Sequence, residues 1–298
     1  MSVDFNAEAI EPVTLLGPPA LLERDHMSPF VWAEPDGRLG IMVRAVPSAT
    51  MARTDTGVIW AGWSQDGRTF QMDDAPCIVP GPEPVDIGGV EDPTVLRRED
   101  GSYAVLYTAV TADMAHGELS RAEGPDIHSL TKTGVALASS DSEGNTKEAT
   151  LAQAPDGSWR LFYEYAADEA SRVGMATGAG VGEAWTEQTP PFQPRADSWD
   201  DWHLSTGPML MSDPEMPVMF YNGATRDARW RIGWVAFDRD ITKVVARGLQ
   251  PLITPPPAAD RGATDIAFAA SAIVTDGTTW LYYSLEDRKL ARASVRRS

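Results

Sequence analysis

Apolar and β-branched residues along this chain gather in short runs bounded by Gly, Pro, Asp and Asn, the pattern of strands rather than helices. A turn dipeptide stands before each of the longest runs. Asp36-Gly37 leads into Leu39 to Ala45, Asp100-Gly101 into Tyr103 to Ala109, and Asp156-Gly157 into Trp159 to Tyr165. Asp213-Pro214 leads into Val218 to Asn222, and Asp276-Gly277 into Trp280 to Ser284. Successive turns lie about 64, 56, 57 and 63 residues apart by the numbering, a period in the range of propeller repeats. Second apolar runs follow in several units, at Gly57 to Ser64, Arg172 to Thr177 and Trp230 to Phe237, and read as the next strands outward.

No window of about 12 residues carries helical periodicity, and 25 glycines with 23 prolines would interrupt one. The expected fold is all-β, a five-bladed β-propeller of four-stranded antiparallel blades forming one domain over residues 1–298. Two stacked β-sandwiches would need a linker. Pro255-Pro256-Pro257 is too short for one and falls in the last inter-blade connection, while residues 140–145 and 178–182 read as loops.

Composition narrows the function. Hydrophobic content is 43% and charged content 23%, with no apolar run near the roughly 20 residues of a membrane span. The first residues lack a basic segment and an apolar core, so a cytoplasmic location is expected. Forty-three acidic against 25 basic residues give a net charge of −18, which repels nucleic acid and anionic lipid. The one cysteine, Cys77, excludes an internal disulfide and reads as a buried spectator. His26, His116, His128 and His203 lack the paired spacing of a zinc site, and neither metal nor organic cofactor is expected. Oligomeric state stays open.

In a propeller, loops and inner strands from distant repeats converge on a central channel. The residues this criterion selects are rich in carboxylates: Met27-Ser28-Pro29 with Arg44, Glu91-Asp92 with Tyr107, Lys147-Glu148 with Glu164, then His203, Tyr221-Asn222, Asp265 and Asp287. Inverting glycoside cleavage needs a proton donor for the leaving oxygen and a carboxylate that activates water. Asp92 is the candidate donor. Gly88 and Gly89 let the backbone bend before it, Pro93 is expected to push it into an extended conformation, and Glu91 and burial are expected to raise its pKa. Glu164 is the candidate base, the one acid in the aromatic strand Leu161-Phe162-Tyr163-Glu164-Tyr165; solvent exposure, or a pair with Arg160 or Arg172, is the alternative. Glu148 ranks behind it. Arg44 suits a sugar hydroxyl or an anion, or a structural ion pair; His203 suits a ligand or a loop hydrogen bond. Of ten tryptophans, Trp32, Trp159, Trp234 and Trp280 read as core, whereas Trp199 and Trp202 lie in an acidic loop and are expected to bind sugar.

Val90-Glu91-Asp92-Pro93 followed by Tyr103 to Ala109 resembles the acid-bearing segment of glycoside hydrolase family 130, the β-mannoside phosphorylases and related β-mannosidases. Phe220-Tyr221-Asn222-Gly223, Ile232 to Asp238, and Leu281-Tyr282-Tyr283-Ser284 with Asp287 resemble its later blades, so the similarity spans about residues 26 to 295. The resemblance implies Asp92 as proton donor. It also implies a phosphate-contacting role for Lys147, whereas Thr94 stands where the phosphorylases carry arginine and Tyr163-Glu164 where they carry a histidine-arginine pair. Fewer cations and one more carboxylate favour water over inorganic phosphate. The expected function is therefore an inverting glycosidase acting on a β-mannoside or similar oligosaccharide, with phosphorolysis and a non-catalytic carbohydrate-binding propeller as alternatives. Sugar contacts are expected from Arg44, Glu91, Tyr107, Lys147, Trp202, His203, Tyr221, Asn222 and Asp287.

Overall fold

The aligned turn dipeptides are the hairpins that join the first and second strand of each sheet. In the computed structural model, which describes residues 3–52, 56–114, 116–140, 144–256 and 265–298, the aspartate of four of these turns accepts the N–H two residues on. Asp36 takes Arg38 at 3.0 Å, Asp100 takes Ser102 at 2.9 Å, Asp156 takes Ser158 at 2.9 Å and Asp213 takes Glu215 at 3.1 Å. These are Asx-type closures, and the glycines that follow in the first three sit at φ +87°, +87° and +84°, where a side chain would be strained. The fifth turn places both Asp276 and Gly277 at positive φ, as a two-residue hairpin requires.

The described residues are almost wholly β, in mostly four-stranded antiparallel sheets. The first sheet runs Asp25–Ala33, Leu39–Val46, Val58–Ser64 and Thr69–Met72, with Thr14–Leu16 added parallel at its outer edge. The second runs Gly89–Arg97, Tyr103–Val110, Gly117–Gly124 and Thr131–Leu137; the third Gly144–Gln153, Trp159–Ala167, Ala170–Gly178 and Thr186–Gln188. The fifth joins Ala267–Thr275, Thr278–Leu285 and Lys289–Arg297 to the N-terminal strand Phe5–Pro12.

Three features depart from the sequence reading. The fifth sheet takes its outer strand from the far end of the chain. The fourth unit is split into two short sheets where Pro208, which lacks an N–H, interrupts its first strand and Gly207 lies against the Phe220 carbonyl. Gly144 and Asn145, expected in a loop, open a strand; residues 141–143 of that loop and Pro257 lie outside the described residues.

Side-chain and backbone hydrogen bonds pass from one sheet to the next among the first hairpins. Ser28 Oγ donates to Asp92, Thr94 Oγ1 to the Ala149 carbonyl and Thr150 Oγ1 to the Gly207 carbonyl. Asn222 exchanges two bonds with the Ala269 backbone, and Ser271 Oγ bonds Pro29 and Val31. Five apolar clusters follow the same order. One packs Val90 and Tyr107 on Ile59, another packs Phe220 and Trp234 on Leu281 and Tyr283, and one joins Tyr282 of the fifth sheet to Ile41 and Trp60 of the first. With both faces covered, the second strand Tyr103–Val110 is buried throughout, which explains its unbroken apolar run.

Candidate functional site

The first strands of three consecutive sheets carry the same irregularity. Pairing register slips between Met27 and Phe30, between Glu91 and Thr94, and between Lys147 and Thr150. At each slip one non-glycine residue adopts a left-handed backbone: Ser28 at φ +50°, Asp92 at +49° and Glu148 at +55°. Such β-bulges re-aim a side chain, and left-handed conformations of this kind cost on the order of 1 kcal/mol or more each. Asp92 is thus aimed by a bulge, and the extended conformation expected from Pro93 is not adopted. Met27-Ser28-Pro29 and Asp92-Pro93 share the dipeptide context that marks this position.

The Ser28 and Glu148 bulges open on a cleft of about 180 Å³, whose polar lining includes Ser28, Arg44, Lys147, Glu148, Glu164 and Asp287, while Asp92 is buried beside it. Its apolar lining includes Trp230, Ile266 and Phe268. Three donors converge on Asp92: Ser28 Oγ at 2.7 Å, Arg44 Nη1 at 3.2 Å and Thr108 Oγ1 at 3.3 Å. Arg44 also pairs with Glu91 at 2.8 Å. Glu164 is buried; it accepts from Ser171 Oγ at 2.7 Å and pairs with Lys147 at 3.4 Å, its partner across the strands, rather than with Arg160 or Arg172. Ser171 in turn donates its backbone N–H to His203 Nδ1 at 3.2 Å.

Five carboxylates, Glu91, Asp92, Glu148, Glu164 and Asp287, therefore surround two cations. The imbalance forces protons onto part of the set. Removal from water raises the Glu148 pKa well above the usual carboxylate range, and the neighbouring charges of Asp92 and Glu164 add to that. Burial also raises Glu91 and Asp287. Asp92 goes the other way: burial opposes its charge, but Arg44, the Ser28 hydroxyl and Lys147 together hold its pKa below the ordinary value. This corrects the expectation that Asp92 would be the raised group. Glu164 holds Lys147 firmly protonated against its burial, and Asp92, Glu91 and Glu148 do the same for Arg44. Burial lowers His203, favouring neutral imidazole, in which Nδ1 is free to accept from Ser171.

Several expected contacts lie elsewhere. Tyr107 is buried and donates to Asp86 at 3.1 Å, in a cluster with Lys132. Tyr221 is buried against Asp200 and Arg247, and Asn222 spends its amide on Thr206 and Ala269. Trp199 stacks on Tyr221 at 5.6 Å, and Trp202 lies under Arg226 at 3.8 Å. The aromatic wall of the cleft is Trp230 with Phe268, their rings 5.3 Å apart, and Trp230 packs on His203. Ser171, Thr108 and these two rings were missed, because only the folded register brings them to the carboxylates. Thr94 is buried and bonds the Ala149 carbonyl. Burial pushes the Cys77 thiol up to about 12, which leaves it unreactive. Among the described residues, no group of three or more His, Cys, Asp or Glu is arranged to hold a metal ion.

The sequence matches no protein-family model and no curated protein. Its likeness to solved structures is extensive. A β-1,2-mannobiose phosphorylase from Listeria innocua, in complex with β-1,2-mannobiose, superposes with TM-score 0.76 at 17% identity over 96% of this chain and 90% of that one. A glycosyl hydrolase from Bacteroides ovatus gives 0.76 at 20% identity over 91% and 84%. A structure described with the finding that the GH130 family of mannoside phosphorylases contains glycoside hydrolases targeting β-1,2 mannosidic linkages in Candida mannan gives 0.76 at 21% identity over 91% and 84%. At these identities the likeness is one of fold, and the chain has a GH130-like fold.

Proposed function

We propose that this chain is a GH130-type glycoside hydrolase: one five-bladed β-propeller, closed by the pairing of its two chain ends, that cleaves a β-mannoside or similar oligosaccharide with inversion. The cyclic order of inter-sheet hydrogen bonds and apolar clusters supports the closure. The observation that carries the activity is the place of Glu148 at the cleft wall, where burial and the charges of Asp92 and Glu164 push its pKa well above the usual carboxylate range, with Glu164 on the neighbouring strand. In this reading Glu148 gives its proton to the glycosidic oxygen as the bond to the anomeric carbon breaks. Water adds to that carbon from the opposite face and loses its proton to Glu164, leaving a free sugar of inverted configuration.

Asp92, the donor implied by the family resemblance, acts here as the anion that keeps the proton on Glu148. Trp230 and Phe268 supply an apolar face for the sugar ring. No cofactor takes part.

Phosphorolysis draws on Arg44 and Lys147, which line the same cleft. Each is already paired with carboxylates, and His203 faces Ser171, so an incoming phosphate dianion has to compete with those pairs for its cations. The deciding experiment is product analysis on manno-oligosaccharides with and without inorganic phosphate. Free sugar released at the same rate in both is expected. Strictly phosphate-dependent formation of a sugar 1-phosphate would overturn hydrolysis, and no turnover of any substrate would leave a carbohydrate-binding propeller.

A further inference from the structure

Glu164 and Ser171 lie on the facing strands Trp159–Ala167 and Ala170–Gly178, where Glu164 pairs with Val173 and Ala166 with Ser171. Side chains alternate between faces, so Glu164 and Ser171 are diagonal neighbours on one face. The hairpin between the strands is as tight as a hairpin can be, with Asp168 and Glu169 at φ +52° and +58°. Two consecutive non-glycine residues in the left-handed region are unfavourable, and they persist here in a turn that fixes the register on which the Ser171 position depends.

Ser171 is held at both ends. Its hydroxyl donates to Glu164 Oε1 at 2.7 Å and its backbone N–H donates to His203 Nδ1 at 3.2 Å. His203 is itself fixed between the rings of Trp202 and Trp230, and the charged groups that face it are Glu164 and Arg172. We infer that Ser171 is the positioning residue of the Glu164 carboxylate, and that His203 anchors Ser171 from behind. The hydroxyl holds one carboxylate oxygen in place and leaves the other to accept a proton from water. The imidazole, as the Nε2–H tautomer, receives the Ser171 N–H and stops the hairpin end from rotating away.

The catalytic meaning of this device rests on the hydrolase reading above; the hydrogen-bond device itself does not. Ser171→Ala removes the donor, so the Glu164 anion loses stabilisation. Expected is a fall in kcat of roughly tenfold with little change in KM, and a shift of the acidic limb of kcat/KM to higher pH. Ser171→Thr, which restores a hydroxyl, should recover both, and His203→Phe should give a smaller shift in the same direction. A crystal structure of Ser171→Ala reads the position of the Glu164 carboxylate without any substrate. A Glu164 side chain that keeps its place and its Lys147 contact in folded Ser171→Ala overturns the inference. Unaltered turnover in Glu164→Gln sinks the base assignment instead, while the Glu164 position still decides the role of Ser171.

Discussion

Asp200 and Glu148 are carboxylates held away from water in adjoining parts of the molecule, and their surroundings are built in opposite ways. Asp200, in the loop before His203–Ser205, has no solvent exposure and is shared by Arg195, Arg247 and the Tyr221 hydroxyl, with Trp199 stacked over Tyr221. Cations outnumber acids there and every carboxylate oxygen has a donor. Although burial opposes its charge, the Tyr221 hydroxyl and Arg247 hold its pKa below the ordinary value. Around Glu148 acids outnumber cations, the group is only half-buried, and a cleft opens beside it. Burial pushes both pKa values upward, and the partners decide the sign of the net shift. A closed cluster in which cations outnumber acids ties a loop down; an open one in which acids outnumber cations holds a proton that it can give away.

Substitution separates the two. Asp200→Ala leaves Arg195 and Arg247 buried without their carboxylate and is expected to cost about 3–5 kcal/mol in denaturant unfolding. Glu148→Gln keeps the shape and puts a neutral amide in place of a carboxyl whose charged form is disfavoured there, so its stability should stay within about 1 kcal/mol of the parent. Equal losses in the two variants would erase the distinction.

Acidity gives a smaller and directional effect. The folded Glu148 holds a proton that the unfolded chain releases above pH of about 4.3. Its contribution to stability therefore falls as pH rises from that value through its raised folded pKa, and the advantage of Glu148→Gln over the parent should grow with pH across that window. Asp200 behaves inversely. Its folded pKa is depressed, so its contribution is present above the unfolded value of about 3.9 and is lost as pH falls through the folded one. The deficit of Asp200→Asn should accordingly shrink in acid. Parallel pH profiles for the two pairs would contradict the assignment of opposite shifts.

What was legible in the sequence is what local chemistry decides. The Asp-Gly turns announce hairpins because aspartate closes the turn and glycine tolerates it, and the apolar runs after them are second strands covered on both faces. Asp92 stood out between a glycine pair and a proline, Glu164 inside an aromatic strand and Glu148 beside Lys147, whereas the bulges that aim Asp92 and Glu148 did not. The N-terminal strand was not legible, since Phe5–Pro12 pairs with residues near 290 and nothing nearby signals it. Tyr107, Tyr221 and Asn222 were assigned to the cleft because their strands reach it, but alternation turns them into the packing between sheets. The direction of the Asp92 shift was inaccessible for a related reason: Ser28 and Arg44, which set it, come from the preceding sheet.

The most direct test is whether Glu148 carries the proton. Turnover of Glu148→Gln should be compared on an unactivated manno-oligosaccharide and on an aryl mannoside whose leaving group needs no protonation. The account predicts a loss of about 10²–10⁴-fold on the first and a far smaller loss on the second. Equal losses on both substrates, or this pattern in Asp92→Asn with Glu148→Gln unaffected, would contradict it.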